Sequence, residues 1–524
     1  MYNNIAVLPL DSRPCCTDFI LKIGRIGGYC VQCPPGEWYP DFIKGCDTVR
    51  MAQWLRQAAG QAEYLIVSVD MLLFGGLAPA MRYRVPQEDA LERLNVFREI
   101  RKAHPGLKIY AAFSVPGSSN SAHTPQEMVN RAQCMTYSQL SHKVMLYDRE
   151  EDKQALASLM EQIEPDALED YLNVRERAWQ VSLRLLELAK EDVIDFISFG
   201  SNDSSLYGLH RVRLQKLVEQ VYEQDVQDKA VVYSGTDEQC QALLVRAMQE
   251  HRRKQTRFFL RYSCSGADTL VPPFEYNPVG DNLRLLLFSA GCVVVDTPQE
   301  ADVVLMVNTA CQSWDDYRAM EKAGHAYFLP ESNHNLWDFI TGIHYYMGTK
   351  RRVAVADVAF ANGCDTGLVR YLEKSVDLTK LTAFGGWNTA SNTLGTVIAQ
   401  AAARTLYEQS GTQELACECT QVEFLMERFA DDYCYQVLAR PSVNSLVEEK
   451  GGSVLNMEEL YEEANACAVE KMLPLVQTFF QKHFQGRTLT GDFSAKRILS
   501  MEPQIRLPWA RTFEISVNMP FVVE

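Results

Sequence analysis

The sequence predicts an α/β fold: a TIM-like (β/α)8 barrel with an inserted three-layer α/β subdomain and a mostly helical C-terminal cap. Three observations lead to this prediction. Strand-like runs alternate with helical patterns over most of the chain, the runs are apolar almost without interruption, and several end in a carboxylate or a carboxamide. Continuous apolar runs are typical of strands buried on both faces, and their alternation with helices is typical of a parallel sheet.

Eight strands are predicted, which is the number that a (β/α)8 barrel contains. A further strand-like piece at 29–33 lies between the first two, and helices are predicted between strands, among them 87–102, 172–191 and 239–250. In chain order the eight strands are 5–10, 64–69, 108–114, 194–199, 230–234, 257–262, 353–358 and 381–386.

The length of 524 residues exceeds that of one ordinary domain, so we expect several parts. A helical pattern at 282–291 followed by strand patterns at 292–296 and 300–308 predicts the inserted subdomain, and amphipathic segments at 422–438 and 457–484 predict the helical cap. The expected parts are the start of the barrel at 1–270, the inserted subdomain at 271–345, the last barrel strands and helices at 346–411, and the mostly helical C-terminal region at 412–524.

Composition narrows the class of function. A net charge of -16 argues against nucleic acid or an anionic membrane as a partner, because both attract basic surfaces. No apolar stretch approaches the roughly 18 residues that span a bilayer, and no signal-peptide pattern opens the chain, so we expect a cytoplasmic protein. The 15 cysteines are then expected to be free thiols. Glycine motifs for nucleotides are missing, so no cofactor is expected, and the oligomeric state stays open.

Polar side chains at the ends of the predicted strands indicate a functional site. The carboxyl ends of parallel strands are where barrels and open α/β sheets bind their ligands. Each residue alone could instead cap the helix that follows it. Six runs end in this way, at Asp11, Asp70, Asn202 with Asp203, Asp237 with Glu238, Asp357, and Asn388.

Two of these strand ends carry the candidate catalytic groups. Asn202 and Asp203 can act together if the chain leaves strand geometry there, with one donating a proton and the other orienting the substrate. Asp237 is the candidate second carboxylate, and Glu238 beside it is a candidate substrate ligand. The alternatives are an Asx turn at Asn202 and Asp203, and a capped helix start at Asp237 and Glu238.

The segment 385–396 has the composition of a carbohydrate-binding loop. Trp387 offers a flat apolar face to the C–H side of a sugar, and Asn388 and Asn392 offer donors and acceptors to its hydroxyls. The alternative is a tight turn beside a buried tryptophan.

The remaining acids are candidate substrate ligands. Arg13 lies two residues from Asp11 and can hold that acid ionised, and Asp70 and Asp357 add oxygen ligands. Asp11, Asp70, Asp203 and Asp357 could together bind a divalent cation instead. A close Asp-x-Asp pair is missing from the sequence, so no metal ligand is assigned.

Five segments carry a resemblance that covers nearly the whole chain. They resemble a bacterial family known as domain of unknown function four-one-two-seven, a name that brings no activity with it. Members of that family show two aspartates where this chain has Asn202 and Asp203, so position 202 is not expected to act as an acid. The matching segments are 8–14, 202–211, 235–238, 386–396 and 508–514.

A looser resemblance concerns arrangement alone. An Asn-acid pair at a middle strand followed by a later Trp-Asn loop is similar to the substrate-assisted β-N-acetylhexosaminidases of the O-GlcNAcase and hyaluronidase kind. That resemblance implies that Asn202 orients an acetamido group of the substrate and that Asp203 is the general acid and base. It also implies that Trp387, Asn388 and Asn392 bind the sugar.

The sequence therefore predicts a glycoside hydrolase-like enzyme that acts on a small carbohydrate, N-acetylated sugars included, by carboxylate general acid and base catalysis. Two alternatives stay open. One is a divalent-metal-dependent isomerase, lyase or phosphohydrolase on a sugar-like substrate, and the other is a sugar-binding or regulatory protein without catalysis.

Overall fold

The strands of the protein form parallel sheets with helices packed on their faces. A computed structural model describes residues 1–119, 122–309, 335–411 and 413–524. All eight strands predicted from the sequence are present, with their ends shifted by a few residues. The elements of the first half are β1 (Tyr2–Leu8), α1 (Asp18–Ile26), β2 (Tyr29–Gln32), α2 (Thr48–Ala59), β3 (Tyr64–Ser68), α3 (Val69–Phe74), α4 (Leu77–Ala80), α5 (Gln87–Arg93), α6 (Asn95–Ala103), β4 (Lys108–Val115), α7 (Pro125–Tyr147), α8 (Glu150–Met160), α9 (Pro165–Lys190), β5 (Phe196–Ser201), α10 (Leu209–Glu223), β6 (Ala230–Ser234) and α11 (Gln239–Arg252).

The second half continues the alternation and then becomes helical. Its elements are β7 (Arg257–Tyr262), α12 (Val279–Ser289), β8 (Val293–Val294), β9 (Val303–Asn308), α13 (Leu336–Gly348), β10 (Arg352–Asp357), α14 (Thr366–Ser375), β11 (Ala383–Gly385), α15 (Ala390–Glu408), α16 (Leu415–Phe429), a π-helical turn (Ala430–Ala439), α17 (Arg440–Glu449), α18 (Tyr461–His483), β12 (Ile498–Met501), β13 (Gln504–Arg506), β14 (Ser516–Asn518) and β15 (Phe521–Val523).

The strand pairing corrects the prediction of a single closed barrel. Six strands form one parallel sheet in the order β2-β1-β3-β4-β5-β6, and five form a second parallel sheet in the order β11-β10-β9-β7-β8. No ladder between described strands joins β6 to β7 or β11 to β1, which a closed ring would need. A closed barrel and two parallel sheets require the same apolar strands, so the strand pattern of the sequence could not distinguish between these two folds.

The segment expected to form an inserted subdomain contributes to the second sheet. Within 271–345, residues 310–334 lie outside the described part of the chain. The strands β8 and β9 both pair with β7, and β9 also pairs with β10. These two strands therefore extend a sheet that begins before the segment and ends after it, and the division of the chain into domains stays a prediction.

Alternating side chains place each sheet between two apolar cores. In β1, Ile5 and Val7 point into the core that also contains β9 residues Leu305 and Val307. Between them, Ala6 packs into a different core on the opposite face. Successive strand residues face opposite sides, so a sheet covered on both sides needs apolar residues at every position.

Helices fill the space between the two sheets. Residues of α1, α11, α12 and α15 share one core with the facing sides of both sheets. Every residue of α15 from Ala390 to Tyr407 is buried. Most residues of this helix are small or apolar, as burial on every face requires, and its long polar side chains Gln400 and Arg404 are paired with Gln421 and Glu418. In a (β/α)8 barrel such a helix would lie outside the ring.

The C-terminal region is helical, as predicted, and ends in short strands that the sequence did not indicate. The helices α16 and α18 pack on the outer face of the second sheet. The strands β12 and β15 form one antiparallel pair, and β13 and β14 form another. In the described part of the chain, no helix is both long and apolar enough to cross a membrane.

Candidate functional site

A cavity of about 380 Å³ lies where several strands of both sheets end. Its wall includes residues that follow the carboxyl ends of β1, β4, β5 and β6 in the first sheet and of β11 in the second. The C-terminal residues Trp509, Arg511 and Phe513 complete the wall. A volume of this size matches a small-molecule pocket. Seven residues predicted from the sequence line it, namely Asp11, Arg13, Asn202, Asp203, Asp237, Asn388 and Asn392.

Arg13 joins the ends of two strands through a buried ion-pair cluster. Its guanidinium donates to both carboxylate oxygens of Asp237, at 2.6 and 3.0 Å, and to Asp11 at 2.7 Å. Glu514 lies 3.8 Å from the same guanidinium. The expected pairing of Arg13 with Asp11 is therefore present, and Asp237 shares it. The fork geometry of arginine makes such a bridge directional, so the cluster fixes β1 relative to β6.

Asp237 combines burial with opposing charges. Burial raises the pKa of this carboxyl, the facing Arg13 lowers it, and the nearby Asp11 raises it again. The side-chain amide of Asn388 donates to Asp237 at 3.2 Å. Asp237 is thus engaged on both oxygens, which suits a group that orients its neighbours.

Asn202 and Asp203 leave strand geometry directly after β5, as the sequence argument required. Asp203 has a left-handed φ of 39°, and its side chain is 46% exposed. Ser119 donates to its carboxylate at 3.0 Å, and Arg131 lies 3.6 Å away. The side-chain carbonyl of Asn202 accepts from the backbone of Gly117 at 3.3 Å. The pair therefore lines the cavity with one anchored amide and one accessible carboxylate.

The loop after β11 is held from three directions. Asn388 has a left-handed φ of 54°, and its backbone carbonyl accepts from the backbone of Asn362 at 2.9 Å. The backbone of Gly386 donates to Asp432 of the π-helical turn at 2.7 Å. Asn392 lines the cavity and accepts a hydrogen bond from Thr389. These contacts give both asparagines a fixed position in the wall.

Two predicted residues near this loop lie outside the cavity. Trp387 is 4% exposed and packs edge-on against Phe19, with ring centroids 6.0 Å apart. Asp357 is fully buried and accepts from Asn308 at 2.9 Å and from the backbone of Asp365 at 2.7 Å. The expectation that Trp387 and Asp357 bind substrate is therefore corrected. Packing encloses the Trp387 ring, and hydrogen bonds from Asn308 and Asp365 engage the Asp357 carboxylate.

Two further predicted acids, which follow strands of the first sheet, also lie outside the cavity. Asp70 lies in the first turn of α3 and accepts from the backbone of Ser114 at 2.9 Å, while Glu238 is fully buried and accepts from the backbone of Thr236 at 3.0 Å. Burial raises the pKa of Asp70 to about 7 and that of Glu238 to about 8. The expectation that these two acids contact substrate in the cavity is corrected, since both are enclosed by protein.

The four acids considered for a divalent cation do not meet. Asp11 and Asp203 line the cavity, whereas Asp70 and Asp357 do not. Within 1–119, 122–309, 335–411 and 413–524, no three side chains of His, Cys, Asp or Glu are placed to hold a metal ion together.

Glu275 is a cavity residue that the sequence reasoning missed. It is 3% exposed, and one carboxyl oxygen accepts from both the backbone and the hydroxyl of Ser391. Its other oxygen, Oε2, has no hydrogen-bond partner among the described residues. Burial raises the pKa of Glu275 to about 7, against the opposing effects of the hydrogen bonds from Ser391 and of the nearby Thr389 hydroxyl. No strand ends at this glutamate, and its only sequence signal is an acid between prolines and aromatic residues.

The C-terminal segment supplies aromatic residues to the cavity wall, and the sequence reasoning assigned no role to these residues either. Trp509 donates from its indole to Ser12 at 2.9 Å. The guanidinium of Arg511 stacks 4.8 Å from the Trp509 ring and 4.9 Å from Phe42, and it pairs with Glu514. In the sequence, the segment 508–514 carries only the family resemblance.

Unusual backbone conformations concentrate at the cavity. Five lining residues other than glycine have a positive φ, namely Phe42, Asp203, Phe274, Asn362 and Asn388. Such conformations are costly, especially for phenylalanine, and they are typical of functional sites that the surrounding structure holds in place.

Fold and site together define a mixed α/β protein of two parallel sheets, with a cavity of carboxyl, amide and aromatic groups at the ends of their strands. The chain belongs to the family described as protein of unknown function, DUF4127, whose profile matches residues 5–518. The family resemblance seen in the sequence is thus confirmed. Among curated proteins, none matches this chain.

One solved structure with some similarity is a GH5-4 broad specificity endoglucanase from Bacteroides salanitronis. The sequences are 12% identical, the match covers 69% of this chain and 86% of the other, and the TM-score is 0.15. A similarity at that score carries no argument about this chain.

Proposed function

We propose that the protein is a glycoside hydrolase that cleaves a small carbohydrate in the cavity described above. The observation that carries the proposal is a pair of cavity carboxyls in opposite environments, one enclosed and one open. Enzymes that cleave glycosidic bonds use two carboxyl groups, one of which must hold a proton that the other lacks.

The lining fits a sugar in other respects. Phe274 is a half-buried residue of the wall, and its ring would contact the apolar side of a pyranose ring. Asn388 and Asn392 provide amides for its hydroxyl groups. Trp509 is as enclosed as Trp387, with Arg511 and Phe42 against its ring, so the stacking role that the sequence assigned to Trp387 goes to Phe274.

Glu275 is the proton donor in this proposal. Its carboxyl holds a proton near neutral pH because it is buried, and its Oε2 has no partner in the described structure. The proton passes to the glycosidic oxygen while the bond from that oxygen to the anomeric carbon breaks. A water molecule attacks the anomeric carbon and supplies its new hydroxyl group, and the proton that the water loses passes to the Asp203 carboxylate.

Asp203 is the second carboxylate. The sequence assigned it the acid role, but its exposure and its neighbour Arg131 favour the role of base or of stabiliser of positive charge at the anomeric carbon. Asn202 remains the candidate for orienting a substrate acetamido group. Asp237 holds Arg13 and Asn388 in position, and a cytoplasmic location stays a prediction from composition.

The test compares glycosides that differ in leaving group. We expect hydrolysis of at least one member of a panel of aryl and alkyl glycosides, N-acetylated ones included. Glu275→Gln should reduce kcat by about 10²- to 10⁴-fold on alkyl glycosides and much less on dinitrophenyl glycosides, which leave without protonation. Asp203→Asn should slow both kinds equally.

The control is Glu423→Gln, which removes a partly buried carboxyl whose pKa is also raised by burial but which lies outside the cavity. The pH profile provides a second readout. Since Glu275 must be protonated to act, kcat/KM should fall above about pH 7, and this descending limb should vanish in Glu275→Gln. Failure of the wild type on every glycoside, or unchanged rates in both cavity variants, contradicts the proposal.

A further inference from the structure

The cavity contains an unused imidazole. His123 lines it and is 9% exposed, and neither of its ring nitrogens has a hydrogen-bond partner among the described residues. Phe42 packs edge-on against the ring, with centroids 4.9 Å apart. A buried polar group without a partner is costly, so two unpaired nitrogens in a pocket wall point to a ligand.

The guanidinium of Arg131 lines the same cavity and is only loosely paired. Its one ion pair among the described residues is with Asp203 at 3.6 Å, beyond ordinary hydrogen-bond length. Its Nε atom is buried and has no partner there either. Arg131 therefore keeps donors available beside the carboxylate that we assign to catalysis.

Positive charge surrounds His123. Burial lowers the pKa of the imidazole, and the charges of Arg82, Arg511 and Arg84 add to this against the opposing effect of Glu127, so that the pKa is about 4. Arg82 pairs with Glu127 at 2.9 Å, and Arg511 pairs with Glu514. Among the arginines that line the cavity, Arg13 and Arg511 are hydrogen-bonded to carboxylates, whereas Arg131 lies beyond ordinary hydrogen-bond length from its carboxylate neighbour.

We propose that His123 and Arg131 form a subsite for an oxyanion substituent of the substrate, so that the enzyme acts on acidic rather than neutral sugars. The substituent is the carboxylate of a uronic acid or a sulfate ester, which share the same acceptor chemistry. This inference rests on the proposed function for the sugar, while the subsite itself rests on the two unpaired side chains.

The recognition is physically specific. The guanidinium fork donates two parallel hydrogen bonds to a planar carboxylate, and the neutral imidazole donates a third. A neutral sugar in the same place leaves the Arg131 and His123 donors without a charged acceptor, and sites built in this way reject the analogue that lacks it. Removing the fork should weaken an acidic ligand by about 10- to 100-fold and leave a neutral one unchanged.

The experiment measures equilibrium binding to the full chain carrying Glu275→Gln, so that no probe is consumed. The probes are methyl glucuronide, glucose 6-sulfate and methyl glucoside, titrated by calorimetry. We expect one anionic probe to bind at least about 10-fold more tightly than the neutral one, and the identity of that probe distinguishes carboxylate from sulfate recognition. Adding Arg131→Gln should remove the preference, while adding Arg149→Gln, which removes an exposed arginine outside the cavity, should preserve it.

A second measurement needs no substitution at Arg131. Binding of the preferred anion should shift the NMR signals of the His123 ring and raise its pKa, because a negative charge then faces the imidazole. Equal binding of neutral and anionic probes, no binding of any anionic probe, or an unmoved His123 signal overturns the subsite. If Arg131-dependent binding is found but the wild type cleaves no glycoside, the hydrolase proposal fails and the subsite stands.

Discussion

Replacing Arg13 by methionine tests whether one guanidinium holds the two strand ends together. Arg13, Asp11, Asp237 and Glu514 are each 5% exposed or less. The variant retains the volume of the side chain but leaves Asp11 and Asp237 buried without their cation. Breaking a buried pair in this way costs about 3 to 5 kcal/mol, because the remaining charges are neither hydrated nor neutralised.

The assay is urea unfolding followed by tryptophan fluorescence, read at the first cooperative transition. We expect Arg13→Met to lower the free energy of unfolding by about 3 to 5 kcal/mol at neutral pH. The matched control is Arg149→Met, which breaks an exposed ion pair of 3.9 Å with Glu151 and should cost about 1 kcal/mol or less.

The pH dependence of the loss identifies its cause. Burial raises the folded-state pKa of Asp237, and without Arg13 the charge that opposes this rise is gone, so the destabilisation by this buried carboxylate grows as pH rises from about 4. The difference between wild type and Arg13→Met should therefore shrink on acidification toward that pH. A loss under about 1 kcal/mol, or one that is the same at acidic and neutral pH, refutes the reasoning.

Two further predictions concern residues behind the cavity wall. Burial raises the pKa of Glu238 to about 8, so the folded state binds this proton more tightly than the unfolded state, and the wild type loses stability as pH rises between the two pKa values. In urea titrations, the free energy of unfolding of the wild type should fall by on the order of 4 kcal/mol between about pH 5 and about pH 8, and Glu238→Gln should remove most of this fall. The same fall in both proteins would contradict the prediction. Gly395→Ala should destabilise by about 1 to 3 kcal/mol, since its new Cβ would lie 2.2 Å from Cγ of Glu238. The control Gly348→Ala, which ends α13 with no atom within 4 Å of its new Cβ, should be neutral or slightly stabilising in the same titration, and equal effects of the two would contradict the packing argument.

Sequence reasoning located much of the cavity because strand ends are a local signal. Asp11, Asp203 and Asn388 each follow an apolar run, and parallel sheets bring such ends to one edge. Their placement in the cavity wall agrees with that argument.

A polar or aromatic residue at a strand end does not predict a cavity residue when that side chain is buried among neighbouring elements. Asp70, Asp357 and Trp387 also follow apolar runs, yet neighbouring helices and strands enclose them. Glu275 gave no signal because its partner Ser391 lies far along the chain. Only the folded chain shows which polar groups face the cavity and which face a backbone donor.

The sequence by itself determined the strands of the two parallel sheets, their parallel class and several of the helices, because side-chain periodicity and helix punctuation depend on residues close in the chain. The tertiary structure decided that the strands form two sheets with α11 and α15 between them, since ladder partners are chosen by contacts that no local pattern encodes. It also decided the composition of the site, because Arg131, His123, Glu275 and Trp509 reach one cavity from four separate segments.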